Sequence, residues 1–473
     1  MSNRPFELGF GESERELTID SLPVQGNMPT WLTGTLVRNG PGTFRVGGQR
    51  YRHWFDGLAM LHKFSFATGR VSYANKFIRG KAYQAAQENG RIAYNEFATD
   101  PCRSLFERIT AVFSPKTTDN AKVSIARIAN QFMALGETPI QVSFDLDTLE
   151  MAGVFQYEDN PVGQMTTVHP HFDDDTTYNM VTRYNRISQY RLYGIDAKAN
   201  AKMIGQVPTH QPAYMHSFGM SQNYVILTEF PFVVNPLNLL LWIRPFIENF
   251  RWKPKRGTPF YVMNRFTGEL VARFEADPFF AFHHINAFEL GNELIVDINA
   301  YEDASIIEAF YLNRLAETSI KIPFGTIRRY RLPLTGAKMV RYETITDECV
   351  ELARYDYGRF HTNPNYQHVY ACSINRQQRQ GFYNQLIKIN VKTGVTKTWY
   401  EADTYPGEPI FVGAPDRSSE DDGVVLSVVL DAAKGNSFLL VLDAKTFVEI
   451  ARAEIPQAVL FGYHGEFFYG TNH

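Results

Sequence analysis

Several features that would identify common classes of protein are missing from this sequence. The three cysteines are odd in number and widely spaced, which argues against a disulfide framework and favours a reducing, cytoplasmic compartment. The first residues lack the apolar core of a signal peptide, and no run of 18 or more apolar residues predicts a membrane-spanning helix. A net charge of −3 without a dense basic block gives no indication of a nucleic-acid partner, and nothing indicates an obligate protein partner.

Aromatic side chains are plentiful, because the chain contains 36 Phe, 25 Tyr and 5 Trp residues. Their rings can supply surface for a core or for a long apolar ligand. Apolar and polar residues alternate along many segments that are punctuated by turn residues. The segments SFATGRVSYAN, FDLDTLEMAGVFQ, NRFTGELVARFE, NVKTGVTKTWYEAD and LDAKTFVEIARAE share this pattern. They predict β-hairpins with tight turns.

The hairpin pattern recurs along most of the chain without helices in alternation, which favours an all-β propeller over a doubly wound sheet. Seven blades would take about 68 residues each, against ~40–45 in a typical blade, so additional loops are expected on one face. Helix-like periodicity is confined to short pieces at 104–113 and 304–318. No linker divides the chain, so we predict one domain over 1–473 with residues 1–25 as an N-terminal extension.

Four of the twelve histidines lie in or beside apolar, strand-like text, in TTVHPHF, AYMHSFGM, FHHINAF and FGYHGEFF. Each could be an ordinary buried histidine, or the four could converge on a metal ion at the propeller axis. No local HxxxH, CxxC or His-x-carboxylate spacing decides between these interpretations. His283 and His284 are adjacent, so at most one of them can face a shared interior point if they lie in a regular strand.

Eight motifs occur in the order typical of one family. They are RNGPG (38–42), HWFDGLAMLHKFSF (53–66), VHP (168–170), MHSF (215–218), FHHINAFE (282–289), YPGEPIFV (405–412), EDDGVVLSVV (420–429) and YHGEF (463–467). Together they resemble the carotenoid cleavage oxygenase family from about residue 25 to 468. The later motifs are most similar to the branch of β-carotene oxygenases and the retinoid isomerohydrolase.

The resemblance implies a seven-bladed β-propeller with a helical and loop dome over one face. It also implies one Fe(II) per chain on the axis, with O₂ as co-substrate, bound by His169, His216, His283 and His464. The family pattern Phe-His-x-x-Asn assigns the ligand role to His283 and leaves His284 as a neighbour that does not bind the ion. Neutral imidazoles would leave the iron its full charge and open positions for O₂.

The family also has three glutamates that accept hydrogen bonds from the ligating histidines. Glu137 in LGETP and Glu408 in PGEPIF match two of these positions. The third glutamate belongs to a Glu-x-Pro-x-x-Asn pattern, and anchoring that pattern on Asn363 places Gly358 where the glutamate is expected. Asp356 or a water could substitute there, so the sequence leaves this partner open.

The function implied is a dioxygenase that cleaves a conjugated C=C bond of a carotenoid or apocarotenoid into two carbonyl products of apocarotenoid or retinal type. No catalytic residue beyond the iron centre is expected. Stilbenoid cleavage and retinyl-ester isomerohydrolysis are alternatives on the same scaffold. A non-catalytic propeller that binds partners is a further alternative, which four intact ligand positions disfavour.

Residues 229–256 form an apolar segment that is interrupted by prolines and ends in basic residues. One interpretation is a buried connection within the core. The other, which the resemblance implies, is a loop near the mouth of the substrate tunnel that inserts at shallow depth into a membrane, with residues 104–113 joining it at its edge. The candidate membrane residues are Phe232, Leu237, Leu239, Leu240, Leu241 and Trp242. This second interpretation predicts a peripheral, monotopic protein that takes a hydrophobic polyene from the membrane surface.

Overall fold

A computed structural model describes the following residues: 4–12, 15–101, 117–159, 161–240, 244–317, 321–336, 339–377 and 381–470. Seven sheets of four to six strands dominate this part of the chain and form the blades of a propeller. The predicted all-β, seven-bladed architecture is therefore confirmed.

The first four blades, numbered in chain order, contain these strands. Blade 1 has β1 (Thr18–Ile19), β3 (Gly34–Thr43), β6 (Leu58–Ala67), β7 (Arg70–Phe77) and β36 (Gly465–Tyr469). Blade 2 has β8 (Ser124–Ile128), β9 (Gln131–Leu135), β10 (Val142–Phe144) and β11 (Met151–Val154). Blade 3 has β12 (Met165–Thr166), β13 (His171–Asp173), β14 (Thr176–Arg183), β15 (Ser188–Ile195) and β16 (Ala201–Thr209). Blade 4 has β17 (Gly219–Met220), β18 (Tyr224–Thr228), β21 (Thr258–Asn264) and β22 (Leu270–Ala276).

The remaining blades complete the ring. Blade 5 has β23 (Phe280–Leu290), β24 (Glu293–Tyr301), β25 (Thr326–Pro333) and β26 (Arg341–Thr344). Blade 6 has β27 (Glu351–Arg354), β28 (His368–Ser373), β29 (Gln385–Asn390) and β30 (Thr396–Trp399). Blade 7 has β2 (Val24–Gly26), β31 (Thr404–Pro406), β32 (Ile410–Gly413), β33 (Gly423–Asp431), β34 (Asn436–Asp443) and β35 (Glu449–Ile455). Two short ribbons pair β4 (Arg45–Val46) with β5 (Gln49–Arg50), and β19 (Phe232–Val233) with β20 (Arg251–Trp252).

Each of the five predicted hairpins joins two neighbouring antiparallel strands: β6 with β7, β10 with β11, β21 with β22, β29 with β30, and β34 with β35. Local sequence predicts these elements well, because turn chemistry and period-2 alternation are properties of short segments. Some central strands are buried along their whole length, as β33 is, because blades pack against both of their faces.

The two ends of the described chain close the ring. The last strand, β36, pairs with β3 of blade 1, and β2 pairs with β35 of blade 7. Residues 1–25 were expected to form an extension, but β1 and the start of β2 lie within blade sheets. Pairing strands from opposite ends of the chain links blade 7 to blade 1, so neither blade is left with the exposed face that an open array would have at its end.

The strands nearest the axis contact one another across blade boundaries. Contacts join β8 with β36, β36 with β32, β17 with β23, and β23 with β27. These strands or the residues beside them therefore bring side chains from different blades to a common centre.

Short helices lie in the connections between strands, and described parts of the connections β3–β6, β7–β8, β18–β21 and β24–β25 meet in the dome. The helices are α1 (Lys81–Asn89), α2 (Pro236–Leu240), α3 (Ser305–Ala309), α4 (Leu312–Leu315) and α5 (Tyr357–Phe360), with 3₁₀ turns at Pro5–Phe10, Ile247–Asn249 and Pro254–Arg256. The helix-like piece 304–318 forms α3 and α4, whereas 104–113 lies outside the described residues. None of the described helices is long and apolar enough to cross a membrane.

The dome connections are joined to one another by backbone hydrogen bonds. The Trp54 N–H donates to the Phe310 carbonyl at 2.9 Å, and the Ile247 N–H donates to the Phe97 carbonyl at 3.0 Å. These contacts place aromatic residues from separate connections over the same face of the propeller.

We expect Gly40→Ala to destabilise the protein, because a Cβ at Gly40 would lie 2.5 Å from the Gly462 Cα where the chain ends meet. Overpacking of this kind costs about 1–3 kcal/mol in the free energy of unfolding, measurable by denaturant titration. Gly48→Ala is the matched control, because no atom lies within 4 Å of a Cβ there. Equal losses in both variants would contradict the importance of this close approach.

Candidate metal centre

Four histidines from different blades meet near the propeller axis. His169 lies between β12 and β13, His216 precedes β17, His283 lies within β23, and His464 directly precedes β36. One ring nitrogen of each lies within 4.8 Å of the corresponding nitrogens of the others. The Nε2 atoms of His169 and His216 are 3.2 Å apart, and those of His283 and His464 are 3.3 Å apart.

His284 faces away from this cluster. The pairing of β23 with β24 is irregular on both sides of His284, which allows adjacent side chains to take different directions. Its Nδ1 lies 2.8 Å from the Ser217 hydroxyl and its Nε2 lies 2.8 Å from the Thr228 hydroxyl. Both ring nitrogens are thus engaged by hydroxyl groups, and burial lowers the pKa of His284 to about 3.

Two of the clustered histidines contact the glutamates that the sequence indicated. The Nδ1 atoms of His216 and His464 each lie 2.7 Å from a carboxylate oxygen, of Glu137 and Glu408 respectively. When Nδ1–H donates to the carboxylate, the lone pair of Nε2 is directed at the centre of the cluster. The Tyr214 hydroxyl also donates to Glu137 at 2.6 Å, which positions that carboxylate.

The third glutamate is Glu351, which the sequence interpretation missed. The His283 Nδ1 lies 2.5 Å from Glu351 Oε1, and the other carboxylate oxygen accepts bonds from the Tyr301 hydroxyl and from Asn299 Nδ2. Burial alone would raise the pKa of Glu351. The charge and hydrogen bond of His283, with the Tyr301 bond, outweigh burial, so the pKa is lowered and the carboxylate stays ionised.

The sequence left this partner open between the region of Gly358 and Asp356, and neither of these residues contacts His283. Gly358 lies in α5, and the Asp356 carboxylate is paired with Arg417 Nη1 at 2.7 Å. The text ELARYD fits the family pattern when it is anchored on Asp356, with alanine in place of proline and aspartate in place of asparagine. The sequence signal that could have identified this glutamate is its position as the single acidic residue, Glu351, inside the otherwise apolar text CVELA.

The electrostatic environment favours neutral imidazoles beside an ionised carboxylate. Burial is the main cause that lowers the pKa of His464, to about 4, and that lowers the pKa of His169 well below its usual value. Burial would raise the pKa of Glu408, but His464, Arg354 and Arg38 together lower it to about 2. Neutral imidazole is the form that binds a metal ion.

His169 differs from the other three. Its side chain is only partly buried, and no carboxylate lies within hydrogen-bonding distance of it among the residues described. The cluster therefore has four imidazoles but three glutamate partners, which is the ratio that the family resemblance implies.

The donor set fits a divalent transition metal. Two nitrogens that bind one metal ion at about 2.1 Å, with a right angle at the ion, lie about 3 Å apart. The two short separations between Nε2 atoms in the cluster are close to this distance. Four imidazoles without a carboxylate among them suit Fe, Zn, Cu or Ni rather than Mg or Ca, which prefer oxygen ligands.

A cavity of about 550 Å³ opens onto three of these histidines, His216, His283 and His464. Its aromatic wall consists of Trp54, Phe55, Phe97, Tyr184, Phe246, Phe282, Phe310 and Tyr463. Such a wall suits a flat, conjugated, apolar ligand, because it offers ring faces and edges for contact.

The three predicted membrane residues whose side chains the structure describes differ in exposure. Phe232 is only 8% exposed and packs on the rings of Phe250 and Phe280, so its assignment to the patch was wrong. Leu237 is 61% exposed, whereas Leu239 is partly buried against the core; both also line the cavity. The Leu240 side chain, Leu241 and Trp242 lie outside the described residues.

Fold and site together define a class of protein, a seven-bladed propeller built around an axial four-histidine centre. The family model described as "Retinal pigment epithelial membrane protein" matches residues 10–469. A "Carotenoid-cleaving dioxygenase, mitochondrial" of Macaca fascicularis is 33% identical over 94% of this chain and 91% of its own length. A human "Beta,beta-carotene 15,15'-dioxygenase" is 32% identical over 97% and 94% of the two chains. The chain belongs to the carotenoid cleavage oxygenase family.

Solved structures agree at the level of the fold. A variant of the Synechocystis apocarotenoid oxygenase has a TM-score of 0.89 at 23% identity, with 98% of each chain covered. A cobalt-substituted form of the Synechocystis enzyme has a TM-score of 0.86 at 23% identity and the same coverage.

We expect Glu351→Gln to weaken metal binding by about 10–100-fold, because an amide accepts the His283 Nδ1–H bond without the negative charge. The measurement is an anaerobic titration with Fe(II) or Co(II). Asp356→Asn is the control, because that carboxylate is paired with Arg417 and away from the cluster. A larger loss in Asp356→Asn than in Glu351→Gln would contradict the partner assignment.

Proposed function

We propose that this protein cleaves one conjugated C=C bond of a carotenoid or apocarotenoid with O₂ to give two carbonyl products of apocarotenoid or retinal type. By family it is a carotenoid cleavage dioxygenase. The single observation that carries the proposal is that four imidazoles converge at the wall of an aromatic cavity. The names of the two mammalian relatives support the polyene substrate.

The proposed ligands of one Fe(II) per chain are His169, His216, His283 and His464. A bound Fe(II) would supply the activation of O₂, the co-substrate, for addition across the double bond. The choice of iron rests on the family, and the cobalt-substituted relative supports a transition metal of this kind.

The protein's own residues hold and shield this centre. Glu137, Glu351 and Glu408 keep the proton of each partner histidine on Nδ1, so that Nε2 keeps its lone pair and its direction. Three carboxylates also offset much of the charge that a metal ion would bring into a buried site.

The aromatic wall binds and positions the substrate. It excludes water and restrains the polyene, so that one double bond lies over the centre. In this scheme the cavity orients the substrate. No side chain of the protein is required to act as a general acid or base.

Stilbenoid cleavage and retinyl-ester isomerohydrolysis are the alternative reactions on this scaffold. Both would use the same four imidazoles, so the centre does not separate them from polyene cleavage. The three glutamate partners and the adjoining cavity disfavour a non-catalytic binding propeller, which needs neither.

The test is anaerobic loading with Fe(II), followed by exposure to ¹⁸O₂ with a panel of carotenoids, apocarotenoids, stilbenoids and retinyl esters. We expect about one iron per chain and ¹⁸O in both carbonyl products from a polyene. His216→Ala should lose iron and turnover while its circular dichroism is unchanged, and His210→Ala, at an exposed histidine, should lose neither. An iron-replete, active His216→Ala variant would refute the site, and turnover of stilbenoids or esters alone would refute the substrate class.

We further propose that the segment around Leu237 docks on the membrane that holds the substrate. The exposed Leu237 side chain follows Pro236, and both residues line the cavity, so docking there would let a polyene enter without crossing water. The cytoplasmic location stays a prediction, and one relative is named as mitochondrial.

Leu237→Ser should reduce co-sedimentation with carotenoid-containing liposomes, because it removes exposed apolar surface that would enter the bilayer interface. Phe266→Ser is the matched control, since Phe266 is 59% exposed in the turn between β21 and β22 and does not line the cavity. Equal binding of wild type and Leu237→Ser would remove the support for docking at this segment.

A further inference from the structure

One corner of the cavity, beside its aromatic wall, contains a buried pair of opposite charges. This polar corner consists of Glu96, Thr118, Asn120 and Lys122, all of which line the cavity. Glu96 and Lys122 are each only 5% exposed. Charged side chains this deeply buried are uncommon, and burying them costs free energy that contacts must offset.

The glutamate of the polar corner is well satisfied. Its Oε1 accepts hydrogen bonds from the Thr118 hydroxyl at 3.0 Å and from Asn120 Nδ2 at 3.1 Å, and its Oε2 accepts from Lys122 Nζ. Burial raises the pKa of Glu96, and the charge and hydrogen bond of Lys122 oppose that shift.

The lysine is not satisfied to the same degree. An ammonium group has three N–H donors, and Glu96 is the one acceptor of Lys122 Nζ within the described part of the chain. Donors without acceptors in a buried cavity are costly, and an oxygen atom of a ligand would satisfy one of them.

The polar corner also adjoins the four-histidine centre. The carbonyl of Val123, the residue after Lys122, accepts a hydrogen bond from the His464 N–H at 3.2 Å. Lys122 and three histidines of the centre also line the same cavity, so a polyene bound over the centre would share that cavity with a buried hydrogen-bond donor.

We propose that Lys122 determines specificity by donating a hydrogen bond to an oxygen atom, of a hydroxyl or carbonyl group, on the substrate. This inference rests on the proposed function, because it assumes that the cavity binds the polyene. It assigns the enzyme an oxygen-bearing apocarotenoid or hydroxylated carotenoid in preference to a hydrocarbon carotene. A bound hydrocarbon would leave the N–H donors of Lys122 without an acceptor, and this cost would weaken its binding.

The experiment measures binding to the Fe(II)-loaded protein without O₂, by quenching of tryptophan fluorescence. The probes are an apocarotenal, the corresponding alcohol and a hydrocarbon of the same polyene length, so that carbonyl and hydroxyl are separate arms. We expect wild type to bind at least one oxygen-bearing probe about 10–100-fold more tightly than the hydrocarbon, as for a hydrogen bond to a charged group.

Lys122→Met keeps the length of the side chain without its donors, and we expect the ratio of affinities to fall to about one. If the single variant does not fold because Glu96 is left as an unpaired buried charge, the double variant Lys122→Met with Glu96→Gln removes both charges. Lys388→Met is the matched control, because Lys388 is also 5% exposed and paired with Asp421 at 2.7 Å, but outside the cavity lining. It should retain the wild-type ratio.

Two results would overturn the assignment: a wild-type ratio near one, or an undiminished ratio in the Lys122 variants. Either would show that the ion pair only supports the cavity wall. Because no turnover occurs without O₂, the binding ratios are read independently of cleavage. Preferential binding without later cleavage under O₂ would refute the proposed function and leave the specificity assignment intact.

Discussion

The hydrogen bond from an imidazole Nδ1 to a glutamate carboxylate is the contact on which the centre depends. Each such bond joins side chains from two different blades, so the centre exists only when the ring is closed. Each of the seven blades contributes one side chain, by an inner strand or an adjoining loop. In blade order they are His464, Glu137, His169, His216, His283, Glu351 and Glu408. A propeller suits this task because its radial arrangement brings distant segments to one axis.

Ring closure in turn depends on the two ends of the chain. Because β36 pairs with β3 and β2 pairs with β35, blades 1 and 7 each contain strands from both ends. His464 directly precedes β36, so the same pairing that closes the ring also delivers one imidazole to the axis. Stability of the fold and geometry of the centre are therefore coupled, and small residues such as Gly40 and Gly462 are needed where the backbones approach.

Above the centre, the dome supplies the aromatic lining of the cavity. The blades offer regular strands that position a few polar groups accurately, whereas the dome connections carry aromatic residues that enclose a cavity. The polar corner belongs to the connection between β7 and β8, and its last residue, Lys122, is followed by Val123, which contacts the His464 backbone. This division separates the histidine centre, which the blades hold, from the cavity, which the dome connections line.

Some parts of this protein were predictable from short segments. The five hairpins follow from turn chemistry and alternation, and the repetition of such hairpins favours a propeller. By composition and spacing, the four histidines were only candidates, and the family resemblance supplied their roles. Glu351 was missed because the proline and asparagine of the expected pattern are replaced, so that the anchor fell on Asn363.

The sequence by itself determined which segments become strands and which side chains are available, because those properties depend on near neighbours along the chain. It did not determine burial, which depends on what packs from elsewhere: Phe232 is covered by Phe250 and Phe280, while Leu237 in the same segment stays exposed. Nor could alternation alone decide between His283 and His284, since the pairing of β23 is irregular there. Tertiary structure decided that one imidazole meets Glu351 and the other meets Ser217 and Thr228, because only the assembled blades bring those partners within hydrogen-bonding distance.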